Sequence, residues 1–438
     1  MWAVRARRLL LLGVAALALP ATSGFIPAAW AGGYDTPMLY SARHMGTGGA
    51  AIGYVDDPSA LFHNPAGLGH VGRAAAIADL SLLLGRLKGS PSMQALDKES
   101  ELTVAPMFLV GGAYRLTDWL VAGFGVYPIA SAGATYKYDV FGTPIEDKTR
   151  LVFIEGSPGL GITLPGRVRL GVGYRFTYVN LQRYTGNPSA AVPGIDFELD
   201  GTNLLGFRAG VQWTPIDPLQ LGLVYRHKVT TDVSAGTAIA AGRMFTAAKT
   251  EFLLPSKLGG GVRGDLGDLG LILDVEYLWN SQNEGNALEA VSVPTAEDPT
   301  SMPIALPNFF RWSNELTVRT GVEYRLLALA GAGSPLGAKA LALRLGYVFD
   351  GKTANEQYPT AFGTPPGPTH VLTAGAGWNG GWWRVDLAYA RRFGSGEVTV
   401  ADLMAEGRSF CAFCSAAGND PYQMTIDGLY LDVSFAVD

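Results

Sequence analysis

The amino-acid sequence predicts an all-β fold: a transmembrane antiparallel β-barrel of about 14 strands, with an amino-terminal plug, or hatch, inside its lumen. Three features of the sequence carry this prediction. Runs of alternating apolar and polar residues recur along most of the chain, short turns alternate with long loops, and a compact segment of small residues precedes the first run. We divide the 438 residues into a signal peptide over 1–31, the plug over 32–75 and the barrel over 76–438.

The composition excludes some classes of protein and leaves others open. Charged residues make up 16% of the chain, against about 25% in typical soluble domains. The chain contains 57 glycines, and its formal net charge is -5. The acidic balance excludes a basic nucleic-acid-binding surface, so no nucleic acid is expected as a partner. Few charges and many glycines fit an exterior that faces lipid, although a large soluble β-solenoid would have the same composition.

The first residues have the pattern of a sorting signal. Arg5, Arg7 and Arg8 supply positive charge, Leu9–Leu19 is an apolar run, and 29–31 (Ala-Trp-Ala) is a small-x-small cleavage site. A transmembrane anchor is the alternative, but a spanning helix needs about 20 apolar residues and this run is shorter. We therefore expect a mature chain that begins at Gly32 and has no transmembrane helix.

The stretch from Val168 to Tyr178 shows the alternation of the strands. Its valine, leucine, tyrosine and phenylalanine residues occupy one face, and Arg169, Gly171 and Arg175 occupy the other, because successive side chains of a strand point in opposite directions. About fourteen such runs follow one another, at 76–87, 101–115, 119–130, 150–164, 167–181, 201–214, 218–230, 250–264, 268–280, 314–327, 338–349, 370–379, 382–393 and 425–435.

The connections between these runs alternate in length. Short turns include 115–118, 165–166, 214–218, 264–268 and 379–381, whereas long loops cover 131–149, 182–200, 231–249, 281–313, 350–369 and 394–424. Outer-membrane barrels have short periplasmic turns and long external loops. The alternation therefore predicts that the short turns face the periplasm.

A water-soluble β-sandwich or solenoid would show the same period of two. Two features favour the membrane barrel. The apolar faces carry aromatic residues of the kind that form interfacial girdles, namely Tyr174, Tyr225, Tyr277, Trp279, Tyr324, Tyr347 and Tyr389. The polar faces carry residues suited to a lumen wall, namely Arg169, Arg175, Arg226, Arg319, Arg325, Arg344, Arg384, Asp274, Glu276, Glu323 and Asp386. These charges are interpreted as a salt-bridge lattice around the plug for the most part, with a carboxylate-ligand site as the alternative.

Residues 32–75 break the alternation and are rich in glycine and alanine. Asp57-Pro58 suits the start of a short helical turn that ends before Asn64-Pro65, a turn signal. A segment this irregular cannot span lipid, which predicts a plug folded inside the barrel. Arg43, His44 and His63 are candidates to bind a ligand carboxylate, although such residues more often satisfy the polar groups of the segment itself.

The same segment resembles the opening of the FadL/TodX family of outer-membrane channels for long-chain fatty acids and aromatic hydrocarbons. The resemblance rests on Gly46–Ala51, followed by Asp56-Asp57-x-Ser-Ala-Leu-Phe-x-Asn-Pro-Ala-Gly-Leu. Two further matches are 221–229 (Leu-Gly-Leu-Val-Tyr-Arg-His-Lys-Val), similar to that family's Gly-x-x-Tyr-Arg-Ser-Lys strand, and 253–258 (Leu-Leu-Pro-Ser-Lys-Leu), similar to its Leu-x-x-Pro strand entry. The resemblance extends over the mature chain in length, order and strand count.

The resemblance implies passive uptake of a hydrophobic small molecule. Ligand would first meet a site among the outer loops and then a pocket against the plug, near Gly46, Gly49, Asp56, Asp57, Phe62, Asn64, Pro65, Ala66 and Gly67. A kinked third strand would open sideways into the outer-membrane lipid, and Gly125, Pro128 and Gly133 are the candidates, together with Gly123, since proline and glycine interrupt strands. The alternative is that Pro128 simply ends the strand at the outer rim.

The remaining motifs carry little chemistry. Cys411 and Cys414 are expected to form a disulfide in the last long loop, because a single C-x-x-C pair without a nearby histidine cannot complete a zinc site. The glycine-rich stretch 375–380 has no following helix and is not interpreted as a nucleotide site. No arrangement typical of an enzyme stands out, and no metal or cofactor is expected.

Three functions compete at this point. The first is a monomeric channel in the bacterial outer membrane for fatty acids or hydrocarbons. The second is a PorV-like barrel that serves protein secretion and surface attachment, because PorV-type proteins share the plug motif. The third, a general water-filled porin, is disfavoured by the predicted plug.

Overall fold

The computed structural model describes residues 40–190, 193–294, 300–326, 341–414 and 419–437. The predicted signal peptide over 1–31, its cleavage site and the start of the predicted plug lie outside these residues. Fourteen antiparallel strands form a closed barrel, which confirms the predicted antiparallel barrel of about 14 strands.

The barrel strands follow one another in chain order, with five further strands between or beyond them. The barrel strands are β1 (Ala74–Gly89), β3 (Thr103–Thr117), β4 (Leu120–Val140), β5 (Thr143–Leu164), β6 (Val168–Gly186), β7 (Ile195–Ile216), β8 (Leu219–Arg226), β11 (Lys257–Leu266), β12 (Leu269–Leu278), β15 (Glu315–Leu326), β16 (Leu341–Asp350), β17 (Thr369–Asn379), β18 (Trp383–Val398) and β19 (Asp420–Val437). The others are β2 (Lys98–Glu99), β9 (Val229–Ala240), β10 (Arg243–Leu254), β13 (Gly285–Ser292) and β14 (Pro303–Phe309).

Strand pairing closes the sheet on itself. β1 pairs with β19 from Ala74↔Val437 to Lys88↔Gln423. The barrel order skips chain segments at three places, where β1 pairs with β3, β8 pairs with β11 and β12 pairs with β15. Closure gives the backbone N–H and C=O groups of every barrel strand a neighbouring strand, as a protein in lipid requires.

The outward face of the barrel is apolar along its middle. In β6, Val172 is 53% exposed and Phe176 is 41% exposed, while Arg175 between neighbouring apolar positions is completely buried. Leucines on the other strands behave in the same way, such as Leu345 at 60% and Leu387 at 56% exposure. So extensive an apolar exterior exceeds the few hundred Å² usual on a soluble monomer. It matches the surface of a barrel immersed in lipid.

Helices are short and few in the described residues. α1 (Ala42–Met45) and α2 (Ala60–His63) lie before the first strand, and α3 (Val400–Leu403) follows β18. Short 3₁₀ turns cover Pro65–His70, Pro165–Arg167 and Asn280–Gln282. None of the helices in the described part of the chain combines the length and the hydropathy needed to cross a bilayer.

Several predicted loops are strands in the structure. The loop predicted over 131–149 is the far part of the β4–β5 hairpin, and the loop predicted over 182–200 contains the ends of β6 and β7. The loop predicted over 231–249 is the β9–β10 hairpin, which together with β13 and β14 extends the sheet beyond β7. The run predicted over 250–264 is two strands, because Pro255 and Ser256 separate β10 from β11.

These long strands change character along their length. β5 and β7 each have 22 residues, about twice the 9–11 residues that cross a bilayer. In the far part of β7, Phe197 and Leu199 are buried inside the barrel while Glu198 is exposed outside. The interior of this outer part is therefore apolar, whereas the alternation alone predicted a polar lumen throughout.

Candidate functional site

The segment from Tyr40 to Gly72 is almost entirely buried and contacts widely separated barrel strands. Ser41 Oγ donates a hydrogen bond of 2.6 Å to Asp432 on β19, and Gly48 N donates one of 3.0 Å to Thr373 Oγ1 on β17. Two consecutive amides, Ala51 N and Ile52 N, donate to Asp274 Oδ2 on β12 at 2.6 and 3.0 Å. The segment thus bonds to three separate strands of the barrel.

Asn64 connects two parts of this segment to the barrel wall. Its side-chain Nδ2 donates to the carbonyls of Ile52 at 2.8 Å, Val211 at 3.1 Å and Leu223 at 3.4 Å. Its Oδ1 accepts from Ala66 N at 3.1 Å, which starts the 3₁₀ turn after Pro65. An amide side chain provides both donors and acceptor, so asparagine satisfies this site in a way that neither aspartate nor leucine can.

Glycines on the strands make room for this turn. A Cβ placed on Gly171 would lie 2.1 Å from both Ala66 N and Pro65 C. A Cβ on Gly210 would lie 1.9 Å from Asn64 Oδ1. The backbone of the amino-terminal segment therefore touches the bare backbone of β6 and β7, which explains why glycine occupies inward-facing positions there.

A buried ion cluster connects the segment to strands β4–β7. Glu155 is completely buried and forms ion pairs with two arginines. Arg175 Nε on β6 lies 2.5 Å away, and Arg208 on the neighbouring strand β7 is the second partner. Arg208 also donates to the carbonyls of Leu61 and Phe62. Tyr127 Oη donates to Leu61 O at 2.9 Å and lies 2.9 Å from Glu155 Oε1. The end of α2 is thereby held by Arg208 and Tyr127, both of which contact Glu155.

A second ion-pair lattice spans the other side of the barrel. Glu323 accepts from Arg263 at 2.7 Å and from Arg344 at 2.8 Å, and Arg344 also reaches Asp386 at 2.6 Å. Arg319 pairs with Glu276. For Arg175, Arg319 and Arg344 these contacts match the predicted lattice.

Titratable groups of the amino-terminal segment are strongly perturbed. Burial lowers the pKa of His63 and of His70 to about 4. Burial opposes ionisation of Asp56, but the Arg43 guanidinium beside it outweighs this effect and lowers its pKa. Burial, together with the negative charge of Asp56, raises the pKa of Asp57. At neutral pH these two histidines are therefore uncharged, and Arg43 is paired with Asp56.

A polar cavity of about 270 Å³ lies between this segment and the short-turn end of the barrel. Its walls are charged and hydrogen-bonding side chains with few apolar groups, including Arg43, Asp56, Arg263, Asp265, Glu323, Arg325, Arg344 and Arg384. An apolar molecule would have to desolvate these groups to pass. The cavity is therefore a water-compatible chamber that disfavours hydrocarbons.

An apolar cavity of about 150 Å³, the outer cavity, lies at the opposite, long-loop end of the barrel. Its walls include aromatic rings from strands and loops, namely Phe197, Phe252, Phe309, Phe310, Trp312, Tyr358, Phe362 and Phe413. The cation at its wall, Arg183, is neutralised by Asp147. Apolar walls with few polar groups are typical of small-molecule sites.

A third cavity of about 620 Å³, the lateral cavity, runs along a break in the sheet between β3 and β4. β3 and β4 pair only from Val110↔Val126 to Thr117↔Leu120, while within the described residues Thr103–Leu109 pair with β1 alone. At this break β4 bulges between Pro128 and Ala130, and Gly133 has a φ of 146°. Pro128 and Gly133 line the cavity with Val104 and Phe108 of β3. β4 continues to Val140, so the alternative that Pro128 ends the strand is wrong.

Solved structures with the same architecture identify the fold. A FadL homologue from Pseudomonas aeruginosa superposes with a TM-score of 0.67 and 15% identity, over 92% of this chain and 100% of that chain. The toluene transporter TbuX from Ralstonia pickettii gives 0.63 and 14% identity, over 91% and 99%. The toluene transporter TodX from Pseudomonas putida gives 0.62 and 15% identity, over 93% and 100%.

This is the FadL fold. The sequence itself matches no model of a protein family and no curated protein. At such identities the superpositions establish the architecture of the FadL-fold barrel, which agrees with the architecture that the plug motif and strand pattern implied.

The structure places the predicted site residues of the FadL-fold barrel in three settings. Asp56 borders the polar cavity, and Pro128 and Gly133 border the lateral one. Phe62 packs edge-to-face on Tyr40 and Tyr127, with ring centroids 5.2 and 5.4 Å apart. The other predicted residues hold the backbone in place. Gly46 ends α1, Gly49 has a φ of 72°, and Asp57 accepts a hydrogen bond from Ser59 N, while the turn described above consists of Asn64, Pro65 and Ala66. A Cβ on Gly67 would meet Val55 O, and a Cβ on Gly125 would meet Leu61.

Some contacts of the FadL-fold barrel were missed at the sequence level. Glu155 and Arg208 were not singled out, although each is a charged residue at an inward-facing strand position, a signal that the alternation offers. The aromatic lining of the outer cavity had no such signal, because Phe309, Tyr358 and Phe413 come from three segments that are distant in sequence.

The two cysteines form a disulfide at the edge of the outer cavity. Ala412 N between them donates a hydrogen bond of 2.8 Å to Pro307 O, and Phe309 N lies 3.4 Å from Cys411 Sγ. The disulfide-bonded loop thus packs along β14 and places Phe413 in the cavity wall.

Proposed function

We propose that the protein is an outer-membrane channel for the passive uptake of a hydrophobic small molecule, either a hydrocarbon or a long-chain fatty acid. The amino-terminal segment acts as a plug, and the ligand leaves through the barrel wall between β3 and β4. The outward apolar face contacts membrane lipid, and no chemical step is involved.

The observation that carries the proposal is that the two apolar cavities adjoin. Six residues line both of them, namely Ala132, Thr149, Leu151, Phe362, Gly363 and Thr364. The outer cavity therefore adjoins the lateral cavity directly. Adjoining cavities with mainly apolar walls support a path from the long loops to the break in the sheet that does not enter the charged chamber below.

The route along the barrel axis is unfavourable for the same ligand. The segment 40–72 fills that route with backbone held by Asn64, Asp274 and Arg208. Below it lie the charged side chains of the polar cavity. Transfer of an apolar molecule past these groups costs desolvation that the lateral route avoids.

The proposal is tested by uptake into cells that lack other channels for hydrophobic compounds. Radiolabelled toluene and radiolabelled oleate serve as probes, in cells with the full chain and in cells with an empty vector. We expect faster uptake of at least one probe, and the faster one identifies the ligand class. Equal uptake of both probes with and without the protein would refute the channel. Failure of protein secretion in the host strain without loss of uptake would support the PorV-like role instead.

The route is tested by a matched pair of substitutions. Ala132 lies where the two apolar cavities meet, so Ala132→Trp should block the path. Ala374 is exposed on the outward face of β17, so Ala374→Trp makes the same change in contact with lipid. We expect uptake to be lost in the first variant and kept in the second. Equal uptake in both folded variants would rule out passage between β3 and β4.

A further inference from the structure

The junction of the outer and lateral cavities contains one aromatic side chain. Among the six residues shared by the two cavities, three come from β4 and β5 and three from the loop between β16 and β17. Glycine, alanine and threonine make up most of them, and Phe362 is the largest. The width of the passage at this point therefore depends mainly on where the Phe362 ring lies.

The ring is held in place by two neighbouring side chains. Tyr136 on β4 packs edge-to-face against it, with ring centroids 5.5 Å apart at 88°. The Arg183 guanidinium of β6 lies 4.5 Å from the ring centroid, a cation–π distance. Phe362 is only 8% exposed in this position. A ring held by two neighbouring side chains has a defined position beside whatever moves past it.

The loop that carries the ring is also anchored on both sides. Tyr136 Oη donates a hydrogen bond of 2.7 Å to Ala361 O, directly before the ring. After the ring, a Cβ on Gly367 would lie 1.8 Å from Ser395 O, so the loop backbone lies against β18. Because both flanks are fixed to barrel strands, the ring cannot leave the junction by a simple movement of the whole loop.

We propose that Phe362 is the specificity-determining residue of the path, setting the largest ring system that passes from the outer cavity to the lateral cavity. This inference rests on the proposed function. It assigns selection by molecular width to the loop between β16 and β17, apart from the plug and apart from the break in the sheet. The ligand class it admits is slim, such as a single aromatic ring or an extended alkyl chain.

The test compares uptake of a slim and a wide probe in the same cells. Radiolabelled toluene has one ring and radiolabelled phenanthrene has three fused rings. In Phe362→Ala we expect the ratio of phenanthrene to toluene uptake to rise roughly tenfold, the lower end of the discrimination that small steric changes give in apolar pockets. Phe362→Leu should give a smaller rise, and Phe362→Trp should slow toluene as well.

A matched control separates width from general damage to the loops. Phe141 is 99% exposed at the tip of the β4–β5 hairpin, so Phe141→Ala should leave the ratio unchanged. Heat-modifiable migration on gels verifies that each variant is a folded barrel. An unchanged ratio in Phe362→Ala and Phe362→Leu, including a parallel fall of both probes, would overturn the inference while leaving the channel intact. Absence of uptake of both toluene and oleate in the unmodified protein would instead overturn the proposed function, and this inference with it.

Discussion

Replacing Asn64 by alanine is the most direct perturbation of the amino-terminal segment. The asparagine side chain makes two well-placed hydrogen bonds to Ile52 O and Val211 O, a longer one to Leu223 O, and accepts one from Ala66 N. The variant removes all four and leaves the backbone of the segment otherwise unchanged.

The magnitude follows from the bonds that lack a replacement. A buried hydrogen bond contributes about 1 kcal/mol net. The three shorter bonds of Asn64 would then amount to about 3 kcal/mol, but Ile52 O keeps a second donor in Gln212 at 3.2 Å. We therefore expect that docking of the segment is weakened by about 2–3 kcal/mol, which corresponds to roughly a 30- to 150-fold increase in the population of the undocked state.

Hydrogen exchange measured by mass spectrometry reports this population. In the folded, detergent-solubilised variant, amides over 50–68 should exchange faster by that factor when opening and reclosing are faster than intrinsic exchange. Amides of the barrel strands should keep their protection. Asn187→Ala is the control, because Asn187 lies in an exposed turn of the β6–β7 connection, where its side chain accepts a hydrogen bond from Ser189 N of the same turn.

Two results would contradict this reasoning. Unchanged exchange over 50–68 would mean that the Asn64 contacts do not hold the segment in place. Loss of protection throughout the barrel would mean that the segment and the barrel fold as one cooperative unit, so that a separately dockable plug does not exist.

Four further predictions follow from the same contacts. Replacing Asn64-Pro65 by Ala-Ala should change uptake kinetics while the barrel still shows heat-modifiable migration; unchanged kinetics would remove the plug from the mechanism. Gly171→Ala should lower the free energy of unfolding in urea by about 1–3 kcal/mol, because the new Cβ meets the backbone of the turn. Gly112→Ala should have little effect, because its Cβ would lie 3.7 Å from Ala75 O. Burial lowers the pKa of His63 from its usual value of about 6.5 to about 4, so its neutral form stabilises docking above pH 6.5 and this contribution is lost as the pH falls towards 4. Hydrogen exchange over 50–68, corrected for intrinsic rates, should therefore rise in that window. His63→Gln should reduce the rise, although protonation of Asp57 acts in the opposite direction, since it favours docking as the pH falls. Replacing both cysteines by serine should leave the barrel's resistance to urea unchanged, because the disulfide closes only a short loop, but should speed proteolysis near Phe413; equal proteolysis rates would show that the disulfide does not hold this loop.

The sequence by itself determined the two-faced strands and their number. The alternation from Val168 to Tyr178 identifies an apolar outward face, and the exposures of Val172 and Phe176 confirm it. This succeeds because lipid imposes one rule on every spanning strand: apolar side chains must point outward wherever the chain crosses the membrane. The compact segment before the first run was also visible, since its small residues and turn signals cannot form a spanning strand.

Only the tertiary structure decided which face is buried in the outer part of the barrel. Beyond the bilayer, the outward face meets water and the inward face meets other side chains. The apolar side chains of a strand therefore point inward there, whereas they point outward within the membrane. The inversion occurs at bulges: Ile129 in β4 is an extra residue that shifts the alternation, and Leu204 and Leu205 in β7 are exposed in succession. A period of two read along one strand cannot locate such a shift, because the partner strand creates it.

The tertiary structure also decided which residues meet. Ser41 and Asp432 are 391 residues apart in sequence, and Asn64 bonds to strands nearly 150 residues away. Glu155 acquires two arginines from separate strands, and Phe362 lies between two cavities built by many segments that are distant in sequence. Local sequence fixes the direction of a side chain relative to its own backbone, whereas closure of the sheet determines its neighbours across the lumen.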